Sequence, residues 1–128
     1  MKVKNIANSY YFDTYALIEI GKGNTNYKEY KDNIKIVLNK FNIMELCYFL
    51  IRERREQEIK EIFDKLSKFH IDPSDELYLE AAKMKHSYKE KKLSYIDCLG
   101  YCIAKHLKIR FLTGDEKFKN LQNVEFIK

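Results

Sequence analysis

Tryptophan is absent from this 128-residue chain, proline occurs once and glycine four times. So few helix breakers and free turns exclude collagen-like and low-complexity chains, and predict long elements on short connections. Cysteine occurs three times, as Cys47, Cys98 and Cys102, with no CxxC pair. That excludes a disulfide scaffold and fits a reducing compartment. Cys98 and Cys102 stand four apart, on one helix face, and read as small buried hydrophobes. Histidine is scattered at 70, 86 and 106, so no His-Cys set has zinc spacing. His86 and His106 fall on polar helix faces and read as solvated. No apolar run reaches the ~18 residues that span a bilayer, and no signal-type apolar segment opens the chain. A cytoplasmic protein with no membrane partner is expected.

What is present is a globular composition, 45% hydrophobic and 34% charged. At this length one domain over residues 1–128 is expected. The formal net charge is +5. A basic surface attracts polyanions, of which nucleic acid is the commonest.

Short β-branched or aromatic runs predict strands over Ser9–Phe12, Ile34–Leu38, Phe69–Ile71, Lys108–Thr113 and Val124–Ile127. Helical spacing of apolar residues predicts helices over Thr14–Ile20, Tyr27–Asn33, Asn42–Arg54, Gln57–Lys68 and Ser94–Leu107. Another helix starts at the Asp72-Pro73-Ser74-Asp75 turn and carries Leu77, Ala81, Ala82 and Met84, and Asp115–Asn120 forms a helical turn. Strands alternating with helices are the pattern of an α/β fold with a parallel sheet and right-handed crossovers.

In such a sheet, strand carboxyl ends meet the amino ends of the following helices at one edge. Four acids map there: Asp13 after the first strand, Asp115 after Thr113-Gly114, and Glu45 and Asp97 at two helix starts. Each has an ordinary structural use as well. Asn42-x-x-Glu45 and Ser94-x-x-Asp97 both fit a capping box, and Asp13 and Asp115 both fit a cap or loop acceptor. Independent caps need not converge on one edge, whereas a Mg²⁺ or Mn²⁺ ion favours clustered carboxylate oxygens. Thr14, Asn42, Ser94 and Thr113 each flank one acid and are candidates to orient it. Gly114 permits a tight turn, and Gly100 and Ala104 allow the Asp97 helix to approach the sheet.

Asp13, Asn42-x-x-Glu45, Ser94-x-x-Asp97 and Thr113-Gly114-Asp115-x-x-Phe118, in this order, resemble the PIN domain family, and most closely its small prokaryotic toxins of the VapC type. The resemblance covers nearly the whole chain. It implies a three-layer α/β/α fold with a central, mainly parallel sheet. It implies a Mg²⁺- or Mn²⁺-dependent endoribonuclease with Asp13, Glu45, Asp97 and Asp115 as the acidic quartet, frequent homodimers and an inhibitory antitoxin. Lys89, Lys91 and Lys92 precede Asp97, and Lys117 and Lys119 follow Asp115; these are candidate RNA phosphate contacts, or else a solvated charge run. A PIN-fold RNA-binding or scaffold module without turnover is the main competing reading. A phosphoryl-transfer domain is weaker, because Asp13-Thr14-Tyr15 lacks the Asp-x-Asp of dehalogenase-like enzymes.

Overall fold

Four short strands form one wholly parallel sheet in a computed structural model that describes residues 8–128. They are β1 (Ser9–Phe12), β2 (Lys35–Val37), β3 (Arg110–Thr113) and β4 (Val124–Phe126), in the order β2-β1-β3-β4. The register is set by Tyr11 lying opposite Val37 on one side and Phe111 on the other. Five α-helices connect them: α1 (Thr14–Gly21), α2 (Lys40–Arg52), α3 (Ile59–Leu66), α4 (Asp75–Ser87) and α5 (Tyr95–Leu107).

Alternation along the strands sends successive side chains to opposite faces. Tyr11, Val37 and Phe111 pack with α4 and α5, while Phe12, Leu38 and Leu112 pack with α1, α2 and α3. The result is a three-layer α/β/α sandwich. α5 is its most buried helix, since Cys98 through Ala104 are all shielded. A helix apolar on every side belongs between two layers, here α4 and the sheet. Cys98 and Cys102 are part of that core. Gly100 explains how α5 comes so close: a Cβ there would lie 2.7 Å from the Tyr11 ring and 3.2 Å from that of Phe111.

Several local expectations change. Phe69–Ile71 makes only a single parallel bridge, Leu38 to His70, because Ser67–Phe69 is already wound into a 3₁₀ turn. The segment expected as a helix over Tyr27–Asn33 is a 3₁₀ helix, Thr25–Tyr30. The charged helix is shorter than its pattern, at Ile59–Leu66, with 3₁₀ turns on both flanks. Gly114 has no positive φ; its small size is what matters, because a Cβ would strike the Ile127 carbonyl oxygen and the Tyr15 ring. Among the described residues no helix is long and apolar enough to cross a membrane.

Candidate active site

The strand order reverses at β1. The chain leaves β1 for β2 on one side and later returns to β3 on the other. Open parallel sheets bind ligands outside the carboxyl ends at such a switch point. Asp13 directly follows β1, and Asp115 follows β3 by two residues.

Asp13 is the amino-terminal cap of α1. Its Oδ1 accepts the Thr14 N–H at 2.9 Å, and its Oδ2 accepts the Thr113 hydroxyl at 2.7 Å. Only 4% of the residue is exposed. Burial raises its pKa to about 7, and the charges of Asp97 and Asp115 push in the same direction against those two hydrogen bonds. Asp97 sits at the third position of α5 in a complete capping box: Ser94 Oγ accepts the Asp97 N–H, and Asp97 Oδ2 accepts the Ser94 N–H, each at 3.0 Å. Burial raises its pKa too, and Asp115 adds to the rise. Asp115 caps the 3₁₀ turn Glu116–Phe118 through the Lys117 N–H. The Lys117 ammonium lies 3.0 Å from its Oδ2 and is raised in pKa chiefly by that bond. Lys117 is thus a counter-ion of the acidic edge rather than a free cation.

Glu45 departs from the sequence expectation. The cap of α2 is Asn39, one turn earlier, and the capping box is Asn39 with Asn42, which leaves Glu45 in the second turn. Asn42 therefore cannot cap for Glu45. It holds Glu45 indirectly, through Thr14. Asn42 Nδ2 donates to Thr14 Oγ1 at 3.0 Å, and Thr14 donates its own proton to Glu45 Oε1 at 2.5 Å. A hydroxyl has one proton, so the Asn42 donation leaves Thr14 with only Glu45 to serve. Thr113 works alike: it accepts the Asp115 N–H at 3.1 Å and gives its proton to Asp13. Each threonine thus serves a carboxylate on another element, which sequence adjacency could not reveal.

Two positioning residues were missed by the sequence reading. Tyr11 donates its phenol to Asn42 Oδ1 and accepts from Asn39 Nδ2 at 2.7 Å. Both Tyr11 and Asn39 are buried. A tyrosine in an apolar strand and an asparagine at a helix start carried no signal beyond their elements.

Three of these carboxylates feel the others. Asp13, Asp97 and Glu45 are each raised first by burial, and then Asp13 by Asp97 and Asp115, Asp97 by Asp115, and Glu45 by Asp97. Among the described residues, however, no three His, Cys, Asp or Glu side chains stand close enough to form a ready metal cage. Their donor set, carboxylate oxygens anchored by hydroxyls and backbone N–H groups, fits a hard divalent cation such as Mg²⁺ or Mn²⁺. The histidines stay apart from it: His86 and His106 are exposed, and His70 bonds the Ser67 carbonyl oxygen.

The family model for the PIN domain matches residues 10–124. Among solved structures, a chain of a toxin–antitoxin complex from Klebsiella pneumoniae shares 20% identity and a TM-score of 0.71, with 91% of this chain and 95% of that one covered. VapBC2 from Rickettsia felis, solved bound to a DNA fragment from its promoter, gives 19% identity, a TM-score of 0.69 and coverage of 92% and 96%. VapBC-1 from nontypeable Haemophilus influenzae gives 16% identity, a TM-score of 0.69 and the same coverage. At such identities the likeness speaks for the fold. No curated protein sequence matches the chain. With the family match covering all four acids and the fold agreeing, this chain belongs to the PIN domain family.

Proposed function

We propose that this protein is a metal-dependent endoribonuclease of the VapC type, the toxin of a toxin–antitoxin pair. The observation that carries the reading is the charge-coupled set Asp13, Glu45, Asp97 and Asp115 at the switch point of a PIN fold. Asp13, Glu45 and Asp97, raised in pKa by burial first and then by neighbouring carboxylates, are costly to keep ionised. A divalent cation offsets that cost, and Asp13, Asp97 and Asp115, with Glu45, are the residues that would hold it. Bound there, Mg²⁺ or Mn²⁺ supplies Lewis acidity toward the phosphodiester and lowers the pKa of water.

The rest of the chemistry belongs to the chain. Thr113 and the Thr14 N–H hold both oxygens of Asp13, and Ser94 holds one oxygen of Asp97. Each acid therefore keeps its orientation at little further entropic cost. Thr14 restrains Glu45 for proton handling at the attacking water. Lys117 neutralises part of the acidic edge before RNA arrives, while Lys89, Lys91 and Lys92 draw the RNA backbone toward Asp97.

An exposed apolar face supports the partner part of the reading. α2 carries a second apolar stripe, Phe41, Met44, Tyr48 and Ile51, that is 42–64% exposed. Phe49 of the same helix is buried. An exposed stripe of this kind suits a second copy of the chain or an antitoxin helix.

The test is cleavage of structured RNAs by the full chain in Mg²⁺, in Mn²⁺ and in EDTA, beside the Asp97→Asn variant. Cleavage by the wild type in either metal, lost in EDTA and in the variant, is expected. Equal cleavage by folded Asp97→Asn, free of contaminating nuclease, would overturn the reading.

A further inference from the structure

A cleft of about 350 Å³ is lined by Ala82, Lys85, His86, Lys89, Lys92, Leu93 and Tyr95, and Tyr95 stands two residues before Asp97. Among the described residues no acid lines it, in a stretch where residues 83–108 hold seven lysines against two acids. Tyr95 is 71% exposed, more than any other large hydrophobic side chain described. It is the first residue of α5, two before Asp97. Core packing gives no reason for an aromatic ring there, and Ser94 and Asp97 cap the helix without it.

The ring is nonetheless held. The Lys85 ammonium lies 4.8 Å from its centroid and is itself fixed by a 2.7 Å bond to the Leu93 carbonyl oxygen. A cation over one face orders the ring without covering it. Lys92 stands in the left-handed region at φ 56°, closing the 3₁₀ turn Lys89–Lys91. Lys89 is exposed and Lys92 borders the same cleft, and neither makes an ion pair with any described residue. A fixed aromatic face beside available cations suits a nucleotide: the base stacks and the phosphate is paired.

We propose that this cleft is a nucleotide subsite for single-stranded RNA next to the scissile bond, with the base stacked on Tyr95 and its phosphate on Lys89 and Lys92. The proposal rests on the ribonuclease reading for its position, since Tyr95 stands two residues before Asp97 at the start of the same helix. It accounts for an exposed ring that the fold does not need, and it extends the role of the lysines from attraction to placement of one nucleotide. The competing use of Tyr95 is apolar, because the ring also borders a groove with Phe41, Met44 and Tyr78.

Binding separates these uses without depending on cleavage. A fluorescein-labelled single-stranded RNA decamer is titrated with the full-length Asp97→Asn chain in EDTA, with and without Tyr95→Ala, Tyr95→Trp, or the pair Lys89→Ala and Lys92→Ala. Melting curves confirm folding, and sedimentation gives the oligomeric state. Tyr95→Ala should weaken binding about 5- to 160-fold, the range of one base–aromatic stack, and Tyr95→Trp should restore it. The lysine pair should lower the salt slope by about 0.7 for each phosphate that is no longer neutralised. Unchanged RNA affinity in folded Tyr95→Ala overturns the subsite, and so does a weakening that merely follows dissociation of a dimer. If the wild type binds RNA through Tyr95 yet never cleaves it in either metal, the ribonuclease reading falls and the subsite stands. If the wild type cleaves and Tyr95→Ala matches it in both affinity and KM, the subsite falls alone.

Discussion

α2 and α5 start with the same device and put it to different ends. α2 begins with a capping box of two amides, Asn39 and Asn42, both about 1% exposed and spent on internal hydrogen bonds. α5 begins with Ser94 and Asp97, where the third position is a carboxylate that caps with one oxygen and keeps the other for the shared edge. An amide satisfies a helix end without charge. An acid satisfies it too, but it also brings repulsion from its neighbours, which a structural cap alone would not select. α1 follows α5 in this respect, since its cap is Asp13. The difference separates framework from chemistry: the amide start holds position, and the acid starts hold charge.

The sharpest way to break this comparison is Asp97→Asn. The amide oxygen still accepts the Ser94 N–H, so the cap survives. RNA cleavage should fall by more than about a hundredfold, above the range for partners of metal ligands, while the melting temperature moves by only a few degrees. A comparable loss of stability would show that the acid serves mainly as a cap.

Asp13→Asn tests the cost of charge at α1. In the folded chain this carboxyl titrates near 7 rather than near its ordinary 3.8. The native state therefore binds the proton more tightly than the unfolded chain. The stability this contributes is present below about pH 4 and is lost as pH rises through 7. Without metal, the wild type should lose on the order of 4 kcal/mol across that window. The variant should show a flatter profile, be the more stable protein at pH 7.5 in EDTA, and fail to cleave. Thermal melts from pH 4 to 8, with and without Mg²⁺, measure it. A parallel profile in the variant would remove Asp13 as the source.

At the amide start, Asn42→Ala strips the partner from Tyr11 and frees Thr14. It should cost about 1–3 kcal/mol for the buried groups left unpaired, and slow cleavage about 10- to 100-fold through Glu45. Urea melts and cleavage kinetics separate the two effects. The smallest change is expected from Ser94→Ala, which removes one cap acceptor at the exposed end of α5 and should cost about 1 kcal/mol. If Ser94→Ala slows cleavage as much as Asn42→Ala, the two starts are not different in kind.

Much of this was readable before the fold was known. β1, β2, β3 and β4 follow β-branched or aromatic runs, and α5 follows an apolar pattern with its Ser94-x-x-Asp97 start. Sequence alone places the capping box of α2 one turn late, because Asn39 and Asn42 are both good caps and only backbone geometry chooses Asn39. The strand expected at Phe69–Ile71 shrank to one bridge because three residues do not reveal that the chain just before them is wound into a 3₁₀ turn. Tyr11 and Asn39 escaped notice because a phenol in an apolar strand is indistinguishable from core until its hydroxyl finds a partner.

The sequence by itself determined the element types, the parallel α/β class, and the acids that follow β1 and sit in the first turn of α5. These follow from local periodicity and cap chemistry, which act within a few residues. The tertiary structure alone decided which hydroxyl serves which acid, that Lys117 is bound to Asp115, and that Tyr95 is left in solvent. It also decided that Asp13 lies deep enough for its carboxyl to titrate near neutrality. Those properties depend on contacts between residues up to a hundred apart, as Thr113 and Asp13 are, and on burial, neither of which local sequence encodes.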